Sequence, residues 1–456
     1  VDEIMREVQI ACAGAGKTYS ISLKIAEMLK LCNEGKIIYA LTYTNYAVSQ
    51  IKEELTKKLN YIPNNIVIDT IHGFLLNNII YPFSNFIKGE KINSCSIEKL
   101  SDDAKWKAKR KKDLRQYGEL HSEAVTQYAK SLVCEQSSDN VKTKKRKDII
   151  VQYIISDIFC LFVDEAQDMD GDFFDLMKVI VDKIEHFCFV GDPNQDLWGR
   201  KQYLDFIDYI NNKYNIEPIF NLESRRIPQC MVSLCNMILP KNYSIKSINP
   251  SIGNIEYMYA SELKKSDKEF LSQESTFSMI KSSTGVFYTQ EDKTQALPYE
   301  FKKILRDQFS DYDEEAMFMT AIRYIDHEGL NKFLNEFNIK LSKSLYANVI
   351  SQFKNDKKGL THVESIHKLK GLENNTVYFF ICNSLLEILL GKKNEYNKET
   401  NLLYVALTRA KTRMLLIVLD DKTMKESFKN INIDSELKNI GIQRAEGINW
   451  FERCVN

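Results

Sequence analysis

Along this chain, short unbroken apolar runs alternate with stretches in which apolar residues recur every three or four positions. Val8 to Cys12 is such a run and reads as a buried strand, while Tyr19 to Leu31 carries Ile21, Leu23, Ile25, Ala26 and Leu29 at helical spacing. Ile37 to Leu41, Ile158 to Val163 and the start of "HFCFVGDPNQDLWG" repeat the strand pattern, and each closes on polar residues. Continuous apolar runs belong to strands covered on both faces, so the pattern predicts an α/β fold with open parallel sheets. In such sheets ligands sit at the carboxyl ends of the strands, which makes the polar residues closing each run the candidates for chemistry.

Length and composition narrow the class. At 456 residues with 44% hydrophobic content, the chain exceeds one compact core and suggests two to four folding units. No apolar run approaches the roughly 18 residues of a membrane span, and "VDEIMREVQ" is unlike a signal peptide, which predicts a cytoplasmic protein. The ten cysteines include no C-x-x-C pair and read as reduced thiols. Lys plus Arg equals Asp plus Glu at 62 each, so a polyanion would need a local basic face.

The strand ends carry the chemistry. "ACAGAGKT" joins a strand to a helix, with Ala13, Gly14, Ala15 and Gly16 in the turn before Lys17 and Thr18. Backbone N–H groups and the helix N-terminus of such a turn cradle phosphate, the lysine reaches the outer phosphates and the threonine holds magnesium. The usual leading glycine is replaced by Ala11. "DIFCLFVDEAQDMD" delivers Asp164 and Glu165 to the same end of the sheet, the first suited to hold the metal through water and the second to orient or deprotonate an attacking water. "VGDPNQDLW" adds Asp192 and Gln195, whose amide can sense the outermost phosphate. ATP and Mg2+ are the expected ligands.

"ALTYTNYA", "TIHGF", "LESRRIP", "SIHKLKGLE" and "YVALTRAK" complete, in order, a set that resembles the UvrD/Rep-like branch of superfamily 1 helicases. The resemblance runs from Ala11 to Lys411. It implies two RecA-like P-loop lobes, parallel sheets flanked by helices, with ATP in the cleft, single-stranded DNA across the top and a small, mostly helical insertion in the first lobe. On that pattern residues 1–74 and 151–220 form the first lobe, 75–150 the basic insertion and 221–456 the second lobe. The resemblance also implies that Arg226 and Arg409 reach the outer phosphate, that Glu373 contacts the ribose and that Gly371 permits close approach. Arg225 occupies the place of an adenine-stacking tyrosine, and no adenine-reading glutamine precedes the loop, which puts ATP over GTP selectivity in question.

For nucleic acid, Thr42 and Thr44 offer hydroxyls to phosphates, Tyr43 a ring for a base, and Asn45 stands beside them. His72 and His367 match family positions near the strand or the cleft. Trp198, or the guanidinium plane of Arg200, can stack where the family places a tryptophan. The runs "KWKAKRKKDLRQ" and "KTKKRK" either grip duplex or single-strand phosphates or form a solvated face.

Between "LESRRIP" and "SIHKLKGLE", the stretch "MFMTAIRYIDHEGLNKFLNEFNI" reads as second-lobe strand, turn and helix. That leaves only Lys340 to Gly359 for the family's mobile accessory insertion. The compact form is similar to the helicase-like subunit of the Gabija antiphage system, which works with a nuclease partner. After "IVLDD" only a short helical tail is expected, so the chain should cut nothing itself. Two functions are consistent with these features: a 3′-to-5′ DNA translocase or helicase acting on single strands and 3′-tailed duplex, or a DNA-sensing ATPase switch that regulates a partner nuclease.

Overall fold

In the computed structural model, residues 4–98, 100, 103–273, 275–289, 301, 304–305, 327–353, 361–393 and 396–445 are described. Six parallel strands build a first sheet in the order Ile66–Thr70, Ile37–Thr42, Ile158–Val163, His186–Gly191, Arg6–Ala11, Ile219–Asn221. A second sheet of six parallel strands runs Glu364–Ser365, Ser278–Ile280, Asn374–Ile381, Ala410–Val418, Asn254–Tyr259, Gln443–Arg444. The fold is α/β with two helix-flanked parallel sheets, as the apolar runs predict. The central strand "IFCLFV" is almost wholly buried and its neighbour His186–Gly191 entirely so, the burial that an inner parallel strand requires. The tail after "IVLDD" holds two short helices, Lys422–Ser427 and Ile433–Asn439, and also an edge strand, Gln443–Arg444, absent from the helical expectation.

The chain divides into two compact units. Val1–Gly89, Val125–Thr289 and Thr361–Asn456 make the unit that carries both sheets; Glu90–Ala124 and Gln290–Leu360 make the other. Two expectations change accordingly. The helix Val141–Asp157 stays with the sheets, so the separate part of the 75–150 stretch is residues 90–124. The helices His327–Glu336 and Lys343–Phe353 group by contact with the other unit rather than with the second sheet. Leu330, Leu334, Ile339, Leu345 and Val349 bury against Phe301 and Leu305 in a core of their own. The helix half of "MFMTAIRYIDHEGLNKFLNEFNI" therefore spends its apolar face on this core. Its strand half lies outside the described residues.

Candidate nucleotide cleft and nucleic-acid face

The phosphate loop is shaped by two glycines with positive φ, Gly14 at 75° and Gly16 at 81°. A side chain at Gly14 would meet Arg226 Cβ at 2.5 Å and Ser224 Oγ at 2.6 Å, so the "SRR" segment packs on the loop where only glycine fits. Above Gly16 the space is open. The helix Lys17–Leu31 then starts with no side-chain cap and no acidic residue in its first turn, leaving its N-terminal N–H groups and dipole free for an anion. These features fit phosphate.

Lys17 Nζ lies 3.3 Å from Glu165 Oε1, and both are largely withdrawn from solvent. Burial alone would lower the Lys17 ammonium, but Glu165, Asp192 and Asp164 outweigh it and hold it above its ordinary value. Burial, followed by the Glu165 charge, pushes the Asp164 carboxyl up. Burial acts the same way on Glu165, yet Lys17 and Lys370 prevail and hold it down as a carboxylate. Glu165 adopts a left-handed backbone at φ 52°, an uncommon conformation for a residue with a side chain, and Gln167 donates to its Oε2. No group of three or more His, Cys, Asp or Glu residues arranged for a metal occurs among the described residues. Thr18 and Asp164 supply two hard oxygen donors, the set that suits a magnesium ion shared with phosphate oxygens.

The predicted arginines stand in the cleft in different states. Arg226 pairs with Glu373, and Lys411 Nζ holds the other oxygen of that carboxylate at 2.7 Å. Glu373, for which the resemblance implies a ribose contact, is thus engaged with two cations. Arg409 is 1% exposed and spends its N–H groups on Val405 O at 2.9 Å, Leu372 O at 3.1 Å and Thr408 Oγ1 at 3.0 Å. Burial and then Arg226 push its guanidinium down to about 10. Three of its five N–H donors are thus engaged by neighbouring oxygens. Arg225 is exposed, with its N–H donating to Gly14 O at 3.0 Å. Gly371 has φ 87° and open space above it.

Several residues beyond the sequence-predicted set bind the two sheets together. Tyr404, within "YVALTRAK", donates to Asp192 Oδ2 at 3.0 Å and accepts from Ala13 N–H at 3.2 Å. Tyr243 donates to Asp192 Oδ1 at 2.8 Å, and Gln195 Nε2 donates to Oδ2 at 2.9 Å. Lys370 joins Asp168 and gives a second hydrogen bond to Gln195 O at 2.7 Å. Tyr396 OH reaches Asn194 Oδ1 at 2.6 Å, and Asn401 Nδ2 reaches Asp196 O at 2.9 Å. Tyr404 and Lys370 lie within family motifs, but an aromatic or lysine at helical spacing reads as core or surface. Tyr243 carries no sequence signal.

Away from the cleft, Tyr43 is 51% and Trp198 60% exposed. The Arg200 guanidinium lies 5.3 Å over the Trp198 ring, and His367 is 6.3 Å from that ring. Trp198, Arg200 and His367 thus cluster, and Tyr43 lies within electrostatic reach of Arg200. Thr44 and Asn45 are exposed, although the Thr44 hydroxyl is already the N-cap that accepts from Ala47 N at 3.1 Å. Thr42 departs from expectation: it is 0% exposed, with no hydrogen-bond partner for its hydroxyl among the described residues. It ends the strand facing inward. His72 is half-buried, and burial lowers its imidazole below the ordinary value. Burial, Lys370 and Lys398 do the same for His367.

The basic runs are partly committed to the protein. Arg110 forks onto the buried Glu98, Lys107 and Lys111 share Glu123, and Lys147 is buried against Asp139 and Cys134 O. Arg146 donates to Phe86 O and covers its ring. Lys105, Lys109, Lys112, Lys142 and Lys145 remain exposed, with Lys109 over the ring of exposed Trp106.

The comparison with known proteins agrees with this geometry. Residues 6–199 match the family model described as an AAA domain, and residues 199–421 match the UvrD-like helicase C-terminal domain. The chain is a UvrD/Rep-like helicase. It is 23% identical to Gabija protein GajB of Bacillus cereus over 94% of this chain and 96% of that protein. It is 22% identical to the ATP-dependent DNA helicase PcrA of Staphylococcus aureus over 58% of this chain, and 24% identical to the ATP-dependent DNA helicase Rep of Buchnera aphidicola over 51%. It spans 42% and 40% of those two relatives. Among the described residues, no helix is long and apolar enough to cross a membrane.

Proposed function

We propose that this UvrD/Rep-like chain is a DNA-stimulated ATPase that moves 3′-to-5′ along single-stranded DNA and serves a nuclease partner in antiphage defence. The observation that carries the motor reading is the crossing of the cleft by Tyr404, Lys370, Tyr396 and Asn401, which tie the phosphate loop and the Asp192 loop to the second-sheet side. A nucleotide in that cleft is gripped from both sheets. Lys17 and the loop N–H groups bind and orient the phosphates, Glu165 takes a proton from the attacking water, Gln195 senses the outer phosphate, and Arg226 moves from Glu373 onto the developing charge. Thr18 and Asp164 would hold Mg2+, which would neutralise phosphate charge when bound. DNA couples to this through the exposed face of Tyr43, Trp198, Arg200 and His367, where ring and guanidinium planes stack on bases without regard to sequence.

Partnership with a nuclease rests on likeness to GajB along nearly the full length of both chains. The helices His327–Glu336 and Lys343–Phe353, grouped outside the unit that carries both sheets, supply accessory mass and support translocation over a pure sensing switch. Strand displacement from duplexes with a 3′ or a 5′ single-stranded tail, at equal ATPase rates, tests the motor and its direction. Displacement of the 5′-tailed duplex alone would reverse the polarity. ATP turnover without displacement of either duplex would leave the switch as the reading.

A further inference from the structure

Asp192 stands at the carboxyl end of the strand His186–Gly191 and is 0% exposed. A carboxylate so placed must be saturated with donors. Its Oδ2 receives Gln195 Nε2 and Tyr404 OH, and its Oδ1 receives Asn194 N–H at 3.1 Å and Tyr243 OH. Tyr404 arrives on the helix Lys398–Leu407, which leads directly into the second-sheet strand Ala410–Val418. Its oxygen has one hydrogen and accepting lone pairs, and both kinds of capacity are used: the hydrogen goes to Asp192, and a lone pair receives Ala13 N–H. The other side of the Ala13 residue is held as well, since Ser224 Oγ donates to Ala13 O at 2.8 Å.

We infer that Tyr404 and Tyr243 are positioning residues for nucleotide hydrolysis: their phenols hold Asp192, and through it Gln195, in register with the phosphate loop. Tyr404 makes that register depend on the approach of the second sheet. The bridge consists of a single oxygen, so the Asp192 loop and the phosphate loop cannot both keep their contacts if the helix Lys398–Leu407 withdraws. Withdrawal would take one donor from Asp192, the carboxylate that anchors Gln195, and free the Ala13 amide together. Burial first and Asp192 second keep both phenols protonated far above neutral pH, so each remains a donor. Neither tyrosine touches the reacting atoms; both act through Asp192.

The inference rests on the reading of the cleft as an ATPase, and the test separates the two. ATP turnover is measured against ATP concentration with saturating oligo-dT, using the full chain as wild type, Tyr404→Phe, Tyr243→Phe and Asp192→Asn. Phenylalanine keeps the ring and removes only the oxygen. For Tyr404→Phe, kcat is expected to fall about tenfold with KM for ATP held within about twofold, because the ground-state phosphate contacts survive while the aligned sensor does not. Tyr243→Phe should show the same split at about threefold, and Asp192→Asn a loss at least as large as that of Tyr404→Phe. Unchanged kcat in folded Tyr404→Phe, or a KM rising as much as kcat falls, overturns the inference. If Tyr404→Phe does not fold, the Tyr243→Phe and Asp192→Asn kinetics decide by the same criterion. A wild-type chain that hydrolyses no ATP overturns the reading of the cleft itself.

Discussion

The cleft and the nucleic-acid face are built from the same strand ends, yet they treat their side chains in opposite ways. In the cleft, Lys17, Asp164, Glu165, Gln195 and Arg409 are withdrawn from solvent, and hydrogen bonds or ion pairs hold them. A few residues beyond Gln195, Trp198 and Arg200 are exposed with the guanidinium over the ring, and Tyr43, after the neighbouring strand Ile37–Thr42, is exposed as well. Charge that develops in a transition state is stabilised by dipoles already in place, so a cleft gains from rigidity. A strand of changing sequence is gripped by flat surfaces that tolerate any base, so the face gains from accessibility. Buried and exposed side chains meet within single loops, and the Asp192 loop carries both in Gln195 and Trp198.

The contrast between the two regions is tested most severely at Arg226. If cleft residues act through placement, Arg226→Ala should lower DNA-stimulated ATP turnover about 10³-fold or more, the scale of an arginine that neutralises a transferring phosphoryl group. Its partner Glu373 provides the control. Glu373→Gln should weaken ATP binding without a comparable loss of turnover, since it removes the resting partner of Arg226 rather than the arginine. Steady-state kinetics of both variants decide this. Equal and small effects would mean that the pairing seen between them persists in the loaded enzyme.

Next in size is Glu165. Glu165→Gln should retain nucleotide binding and lose about 10²- to 10⁴-fold in turnover, the range of a positioned general base. Lys17→Ala should instead lose binding. Burst and binding measurements with a fluorescent nucleotide separate the two behaviours, and normal turnover by Glu165→Gln would remove it from its role.

On the exposed face the expected changes are smaller and fall on affinity. Trp198→Ala should weaken oligo-dT binding by about 1 to 3 kcal/mol while leaving DNA-free ATP hydrolysis within about twofold, because stacking on a base contributes on that scale. Thr42→Val serves as the buried counterpart. Its hydroxyl is fully buried, so DNA affinity should not respond. A DNA-binding loss at Thr42 equal to that at Trp198 would erase the distinction between the two regions.

How far the sequence foretells this arrangement depends on how local each signal is. The parallel strands and the Asp164–Glu165 pair are legible because apolar runs and the polar residues that close them are contiguous. The phosphate loop is legible because Gly14, Gly16, Lys17 and Thr18 act within a few residues of one another. Thr42 escapes a sequence-based reading because the last residue of a strand can face either way, and its hydroxyl carries no mark of direction. The Tyr404 and Tyr243 bonds to Asp192 span 212 and 51 positions, and no local periodicity encodes such contacts. The helix His327–Glu336 keeps its predicted form but not its place, since an amphipathic face specifies that something covers it without specifying what.

The smallest expected effect concerns the basic helix Ala104–Gln116, where the contrast between held and free charge is repeated within 13 residues. Arg110 and Lys111 are held, the first by the buried Glu98 and the second by Glu123, whereas Lys109 and Lys112 are exposed. A cation already neutralised by a carboxylate releases no counterion when DNA arrives, so only the exposed pair should contribute to salt dependence. Replacing Lys109 and Lys112 with alanine should flatten the slope of log affinity against log salt by about 0.7 per lost single-strand contact, or about 1.4 if both contact phosphate. Replacing Arg110 should lower the melting temperature, because Glu98 would be left buried without its partner, and should leave the slope as it was. Titrations at several salt concentrations with the full chain measure both. A slope that responds to Arg110 and not to Lys109 and Lys112 would show that the internal pairs open on DNA, and the helix would then belong with the mobile grip of the nucleic-acid face rather than with the fixed charges of the cleft.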